Sequence, residues 1–331
     1  MRRRTFIAGS AALLAGPHIA RGQGTTTKRL AILHTSAALS SITASGDVRY
    51  KALFEELTNL GYVEGQNLTV LRYSAEGHQN KYMEVARQAV DAAPDVVLGI
   101  GLMAPAYQSL PTTIPLVFVF SDPVAAGLVA SLAHPGGHFT GVSTDAGLGI
   151  LGKRLSVLRE VVPRLSKPYY LTLKFDWEAA GGAAIRSAAD ELGLSISAIP
   201  IDGEVNENVY ARVFTAMRAA GADGLVVAVT SEISTFSRSV VSLANQFKLP
   251  AVYPYRSYVL EGGLISYGST PEELYSLAAR QIASILRGMK PADLPVLQPT
   301  KIELIVNVKA ARAIGLTLPQ TLLLTADEVI E

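Results

Sequence analysis

The six residues from Gly99 to Ala104, GIGLMA, follow the apolar run Val96-Val97-Leu98 and precede a predicted short helix. Spaced as Gly-x-Gly-x-x-Ala, with Asp122 eighteen positions beyond Ala104, they fit the turn that carries a dinucleotide pyrophosphate. Glycines there let the backbone approach the phosphates, and an acidic residue takes the ribose hydroxyl. The match is short, however, and it follows two earlier strand-like segments, whereas a dinucleotide turn ordinarily lies on the first strand of its unit. A second chemistry fits the same residues. Gly101 permits close approach, Pro105 starts a helix, and the free N–H groups of a first helical turn attract an anion. A carboxylate would be held there as readily as a pyrophosphate.

The other reactive side chains form no catalytic set. Ser231-Glu232 lacks the Gly-x-Ser-x-Gly context of a nucleophile, and no histidine follows His138. His134 and His138 bracket Pro-Gly-Gly, which predicts a surface turn; no further His or Cys accompanies them to complete a metal site. Asp122 precedes Pro123 and can serve as a helix cap or as a ligand contact. Trp177, the single tryptophan, sits beside Asp176 at a predicted strand end, where an aromatic ring either shields a core edge or stacks on a ligand.

The elements that must position these residues alternate strand and helix, and they do so twice. Residues 29–34, 68–73, 95–100 and 115–120 are predicted strands, separated by helices of which the first spans about 47–60 and ends at Gly61. The second half repeats the order: strands at 169–175 and 195–201, a helix at 209–219, then GADGLVVAVT (221–230) and LPAVYPYRS (249–257). Leu192-Gly193 answers Leu60-Gly61, and the offset stays near 130 residues. Thr270, Pro271 and Glu273 predict a capped final helix ending at Gly288, and a further strand is predicted at 302–306. This pattern predicts two similar α/β lobes with parallel sheets, because a single core stops growing at about 250–300 residues. Ligands of such sheets bind beyond the carboxyl ends of the strands. That edge presents residues 34–41, 101–106 and 121–124 in one lobe, and 175–177, 230–234 and 253–258 in the other.

Composition narrows the setting. Residues 1–22 combine a basic start, an apolar stretch from Phe6 to Ala15 and Ala20-Arg21-Gly22, the pattern of an export signal cleaved near Gly22. Arg3-Arg4 followed by Thr5-Phe6-Ile7 fits the twin-arginine type. Removing that segment takes away four arginines and leaves 25 basic against 28 acidic residues, a net charge near −3. With no basic cluster, the balance argues against nucleic acid as a partner. Cysteine is absent, so neither a disulfide framework nor a lipidated cysteine is available, and no stretch after the signal is a charge-free apolar run long enough to span a bilayer. The sequence predicts a soluble periplasmic protein, a monomer with no cofactor and no direct membrane insertion.

Three segments, FSDPVAAGLVASLAHPGGHFTGVS (120–143), LPAVYPYRSYVLEGGLISYG (249–268) and KPADLPVLQPTKIELIVNVKAARAIGLTLP (290–319), resemble the ABC-transporter substrate-binding proteins of the tryptophan/tyrosine-type family. The resemblance covers about 28–331. It implies the type I periplasmic-binding-protein fold, two three-layer lobes joined by a three-stranded hinge, with a small ligand trapped between them and passed to an ABC permease in the inner membrane. It places lobe one at 28–143 plus 266–291 and lobe two at 144–265 plus 292–331, with crossings near 140–145, 264–268 and 293–298. It implies a ligand that is amino acid-like or carboxylate-bearing. Carried over by position, it implies Ser36, Met103, Ala104 and Asp122 as ligand contacts from lobe one, and Phe175, Trp177, Thr230, Ser231, Tyr255, Arg256 and Tyr267 from lobe two and the hinge. LKFDWEAAGG (173–182) departs from the more polar loop expected there. A ligand sensor of the same fold and a periplasmic dinucleotide-dependent oxidoreductase using the GIGLMA turn are the alternatives.

Overall fold

The computed structural model describes residues 27–331 apart from 145, 146 and 148; the export signal predicted at 1–22 lies outside the described residues. The first lobe is built on β1 (Lys28–His34), α1 (Val48–Asn59), β2 (Leu68–Ser74), α2 (Tyr82–Asp91), β3 (Val96–Ile100), α3 (Met103–Gln108), β4 (Leu116–Phe120) and β5 (Phe139–Ser143). Its strands form one parallel sheet in the order β2-β1-β3-β4-β5. Buried on both faces, β3, β4 and the inner part of β1 read as unbroken apolar runs rather than alternating ones, whereas the edge strand β2 is only half-buried. Leu30 and Ile32 point into the core under α1, while Ala31 and Leu33 point into a second core with Val85, Ala86 and Tyr107 from α2 and α3.

The second lobe follows with α4 (Gly149–Val161), β6 (Pro168–Leu171), α5 (Lys174–Glu178), α6 (Ala180–Glu191), β7 (Ser197–Ala198), α7 (Glu207–Ala219), β8 (Gly224–Val227), α8 (Ser231–Thr235), α9 (Ser237–Gln246), β9 (Ala251–Tyr253), α10 (Arg256–Leu260) and β10 (Ile265–Gly268). In the sheet the order β7-β6-β8-β9-β10 reproduces that of lobe one, so the repeat seen in the sequence is a repeat of topology. After α11 (Pro271–Leu286) the chain adds β11 (Glu303–Asn307), α12 (Val308–Ala313), α13 (Gln320–Thr325) and β12 (Glu328–Ile330). The β11 strand runs antiparallel to β10, the one reversal among parallel pairings of the described strands.

Three passages link the lobes. The chain leaves β5 for α4. It returns from β10 to α11, which packs along α1 and the β3–β5 side of the first sheet. It crosses again before β11. Just ahead of this last crossing Val296 and Leu297 lie on the edge of the first sheet: Leu297 N donates to Gly141 O at 2.9 Å and Ser143 N to Leu297 O at 2.9 Å. The sequence assigned 266–291 to lobe one and 292–331 to lobe two. The structure pairs 265–268 within the second sheet and 296–297 with the first, so the lobe boundaries fall a few residues later at both places.

Two predicted strands are shorter than expected. The segment 169–175 leaves the sheet after Leu171 and turns into α5, with Thr172 Oγ1 donating to Asp176 Oδ2 at 2.5 Å. The segment 195–201 keeps only Ser197–Ala198 and a bridge from Leu173 to Ile201, because Pro200 has no N–H to donate to a ladder.

Candidate ligand-binding cleft

In a sheet ordered 2-1-3-4-5 the crevice opens where strand order reverses, beyond the ends of the first and third strands. In lobe one that point lies between Thr35 and Gly101, and in lobe two between Thr172 and Thr230. The two crevices face one another across a small, partly enclosed cavity of about 50 Å³. Gly101, Phe120 and Ser121 line it from lobe one, with Leu274 and Tyr275 of α11; Phe175, Val229, Thr230, Ser234 and Tyr255 line it from lobe two. Phe120 and Phe175 stack across it with centroids 6.4 Å apart and planes inclined by 28°.

The lobes are in contact, closed along a rim of hydroxyls. Thr35 Oγ1 and Ser231 Oγ lie 2.8 Å apart, as do Ser36 Oγ and Thr235 Oγ1. Thr235 donates to Ser231 O at 2.9 Å, so Ser36 is the donor of the second pair. Two glycines permit this approach. Gly101 has φ +58°, and a Cβ there would lie 2.2 Å from Ser231 Oγ; Gly77, at φ +85°, would put one 2.9 Å from Val205 O. The loop carrying Thr35 and Ser36 is shaped by His34, whose buried Nδ1 accepts from Ser36 N at 3.0 Å and Ala37 N at 2.8 Å. Burial, helped by the Arg49 charge, pushes the His34 pKa down to about 3 and keeps the ring neutral, as two donors onto Nδ1 require.

Two side chains of opposite charge type, one basic and one acidic, face the cavity. Arg49, in the first turn of α1, is clamped by Asp47, with Nε and Nη2 donating to the two carboxylate oxygens at 2.7 and 2.8 Å. Burial works against the Asp47 carboxylate, but the Arg49 bonds and charge more than reverse this and hold it below the usual range. Glu232, in α8, is 1 % exposed. Its Oε2 accepts from Ser231 Oγ at 3.0 Å and its Oε1 from Tyr82 OH of the opposite lobe at 3.3 Å. Burial pushes its pKa above the usual range, and the hydroxyl and backbone donors offset this only in part.

This chain shares 25 % identity over 281 residues with the Tyrosine-binding protein of Clostridioides difficile strain R20291, covering 82 % of this chain and 77 % of that one. A conserved domain protein from Vibrio cholerae has a similar solved structure (TM-score 0.80, 25 % identity, 92 % of this chain and 100 % of the other). So has an ABC domain in complex with L-Trp from Streptococcus pneumoniae (TM-score 0.79, 25 % identity, the same coverage). Residues 42–330 match the profile of the ABC transporter substrate binding proteins. The chain belongs to that family.

In this substrate-binding protein four of the eleven residues implied by the sequence line the cavity: Phe175, Thr230, Ser231 and Tyr255. Ser36 lies on the closed rim. Met103 and Ala104 are wholly buried in the core of lobe one, beneath the cavity floor. Asp122 caps its own turn, accepting from Ala125 N at 2.9 Å, and faces a separate hinge cavity with Ser143 and Gln298. Trp177 lies under the Arg186 guanidinium, 4.4 Å from the ring centroid. Arg256 forms a two-bond pair with Glu328 at 2.7 Å, fastening β12 to lobe two, and Tyr267 O accepts from Arg154 Nε at 2.8 Å. The sequence reading missed Arg49, Glu232, Phe120 and Tyr275. Glu232 lies within the 230–234 loop that the sequence places at the ligand edge, but as a side chain it reads there only as a neighbour of Ser231. The signal for Tyr275 was its place next to Leu274 at the start of the α11 apolar stripe.

Among the described residues no group of three His, Asp or Glu could hold a metal, and no helix is long and apolar enough to cross a membrane. The GIGLMA turn supplies close approach between lobes: its Gly101 meets Ser231 of the other lobe.

Proposed function

We propose that this protein is an exported solute receptor without enzymatic activity, which closes its lobes on an aromatic amino acid and delivers it to an ABC permease as a monomer. The observation that carries the reading is the cavity itself. It is walled by residues of both lobes, lined by the stacked pair Phe120–Phe175 together with Tyr255 and Tyr275, and bordered by one cation, Arg49, and one anion, Glu232. Such rings favour offset or tilted stacking with an aromatic side chain, and a zwitterionic head matches two opposite charges. The relatives that bind tyrosine and carry L-Trp support the ligand class. The basic, apolar, small-residue pattern of 1–22 supports export to the periplasm, with Arg3 and Arg4 as the twin-arginine pair.

The test is native mass spectrometry of protein recovered from the periplasmic fraction. The expected result is a chain beginning near Gln23 that releases a bound tryptophan, tyrosine or phenylalanine on denaturation. A nucleotide adduct, or a chain retaining 1–22 in the cytoplasm, would overturn the reading.

A further inference from the structure

Glu232 presents an unbalanced charge. Its carboxylate is almost wholly buried, borders the cavity, and is met only by neutral donors, its own backbone N–H and neighbouring hydroxyls. Among the described residues it makes no ion pair, whereas Arg49 across the same cavity is already matched by Asp47. A buried carboxylate without a positive partner is costly, and hydroxyl donors remove only part of that cost. With Glu232 ionised, Ser231 Oγ donates to it, which leaves Thr35 as the donor of the close Thr35–Ser231 contact. Every proton along Thr35, Ser231 and Tyr82 is thus aimed toward Glu232, and two of these donors come from the opposite lobe.

We infer that Glu232 is the specificity residue for the ligand's α-ammonium group, which supplies the positive charge that closure otherwise leaves missing. The inference rests on the proposed amino-acid reading and deepens it. Closing the lobes brings Tyr82 and Thr35 onto the Glu232 cluster and removes it from water. With an amino acid in the cleft the carboxylate keeps its charge against the ammonium. With a ligand of the same shape but no amine, the site closes only by protonating Glu232. Selectivity for an amine therefore follows from the cost of the uncompensated acid as well as from the bond formed, in the way that a site built for a polar group rejects the analogue lacking it.

The test compares L-tryptophan and L-tyrosine with indole-3-propionate and 3-(4-hydroxyphenyl)propionate by calorimetric titration near pH 7. Wild type is expected to bind at least one amino acid about tenfold or more tighter than its deamino partner, the scale of one charge-assisted hydrogen bond. In Glu232→Gln, checked for an unchanged melting temperature without ligand, that ratio should collapse toward one. Titration of wild type in buffers of different ionisation enthalpy gives an independent reading that needs no variant. Binding of the deamino acid should take up close to one proton, and binding of the amino acid close to none. The nearby titratable groups keep their protons at this pH, since burial raises the Tyr82 and Tyr210 phenols and Asp47 raises Arg49. An undiminished ratio in Glu232→Gln, or equal proton uptake for both ligand types, would overturn the assignment. So would wild type that binds the deamino acids as tightly as the amino acids, though the aromatic-carboxylate reading would survive. Wild type that binds none of the four would remove the aromatic amino-acid reading and the assignment together.

Discussion

His34 shows how a single buried side chain governs the rim of the cleft. A neutral imidazole is needed for Nδ1 to accept from Ser36 N and Ala37 N, and the folded pKa of about 3 lies well below the unfolded value near 6.5. The unfolded chain therefore binds one more proton than the native one between those two values. This contribution to stability is full above about pH 6.5 and is lost as the pH falls toward 3. At pH 5 the loss is about 2 kcal/mol. An asparagine can place its Oδ1 where Nδ1 accepts but does not titrate. We expect His34→Asn to be less stable at pH 7 yet to lose less between pH 7 and pH 5 than wild type, measured by urea unfolding at the two values. Equal losses would show that the histidine does not carry the acid sensitivity. The sequence could not reveal this role, since His34 reads simply as the last residue of a buried strand.

At the scale of elements, the strands of lobe one, the capped helices and the repeat were legible because apolar runs, glycine stops and Thr270-Pro271 are local signals. The α11 cap is an instance: Thr270 Oγ1 accepts from Glu273 N at 3.3 Å. The expected reciprocal bond of the capping box does not form, because the Glu273 carboxylate turns instead to Thr300 N at 2.9 Å and Thr300 Oγ1 at 3.0 Å. Such a partner 27 residues away carries no local signature. The site was legible to the level of which loops converge, and less so at the level of side chains. Asp122 and Glu232 are both acids just beyond strand ends, and only packing decides that one caps a turn while the other faces the cavity. In the sequence the GIGLMA turn reads as a place where a ligand approaches the backbone; in the structure what approaches Gly101 is Ser231 of the other lobe. Gly101→Ala should therefore act mainly on closure. Holding alanine at φ +58° costs about 1–2 kcal/mol of stability. Its Cβ would also displace Ser231 Oγ from the rim. We expect at least tenfold weaker binding of the identified ligand by calorimetry, with the unfolding transition still cooperative. Binding within twofold of wild type would mean that the rim can reopen locally without penalty.

For the whole molecule, the closed rim implies an open counterpart, because a ligand cannot enter between lobes held at Thr35–Ser231 and Ser36–Thr235. Small-angle scattering should give a larger radius of gyration for ligand-free protein than for protein saturated with the identified ligand, the sign of hinge bending. Ligand at a hundredfold excess over Kd should add about 2.7 kcal/mol of stability and raise Tm by several degrees. A radius unchanged at saturation would show that the lobes do not move apart. The three passages between the lobes shape that movement. The crossings after β5, after β10 and before β11 lie side by side, with Ser143 N bonded to Leu297 O and Ser269 Oγ to Thr144 O at 3.2 Å. Tethers joined in this way bend together about one axis and resist twisting. Opening and closing should then follow a single angular coordinate, so that spectroscopic distances measured between any two pairs of points across the cleft rise and fall in fixed proportion.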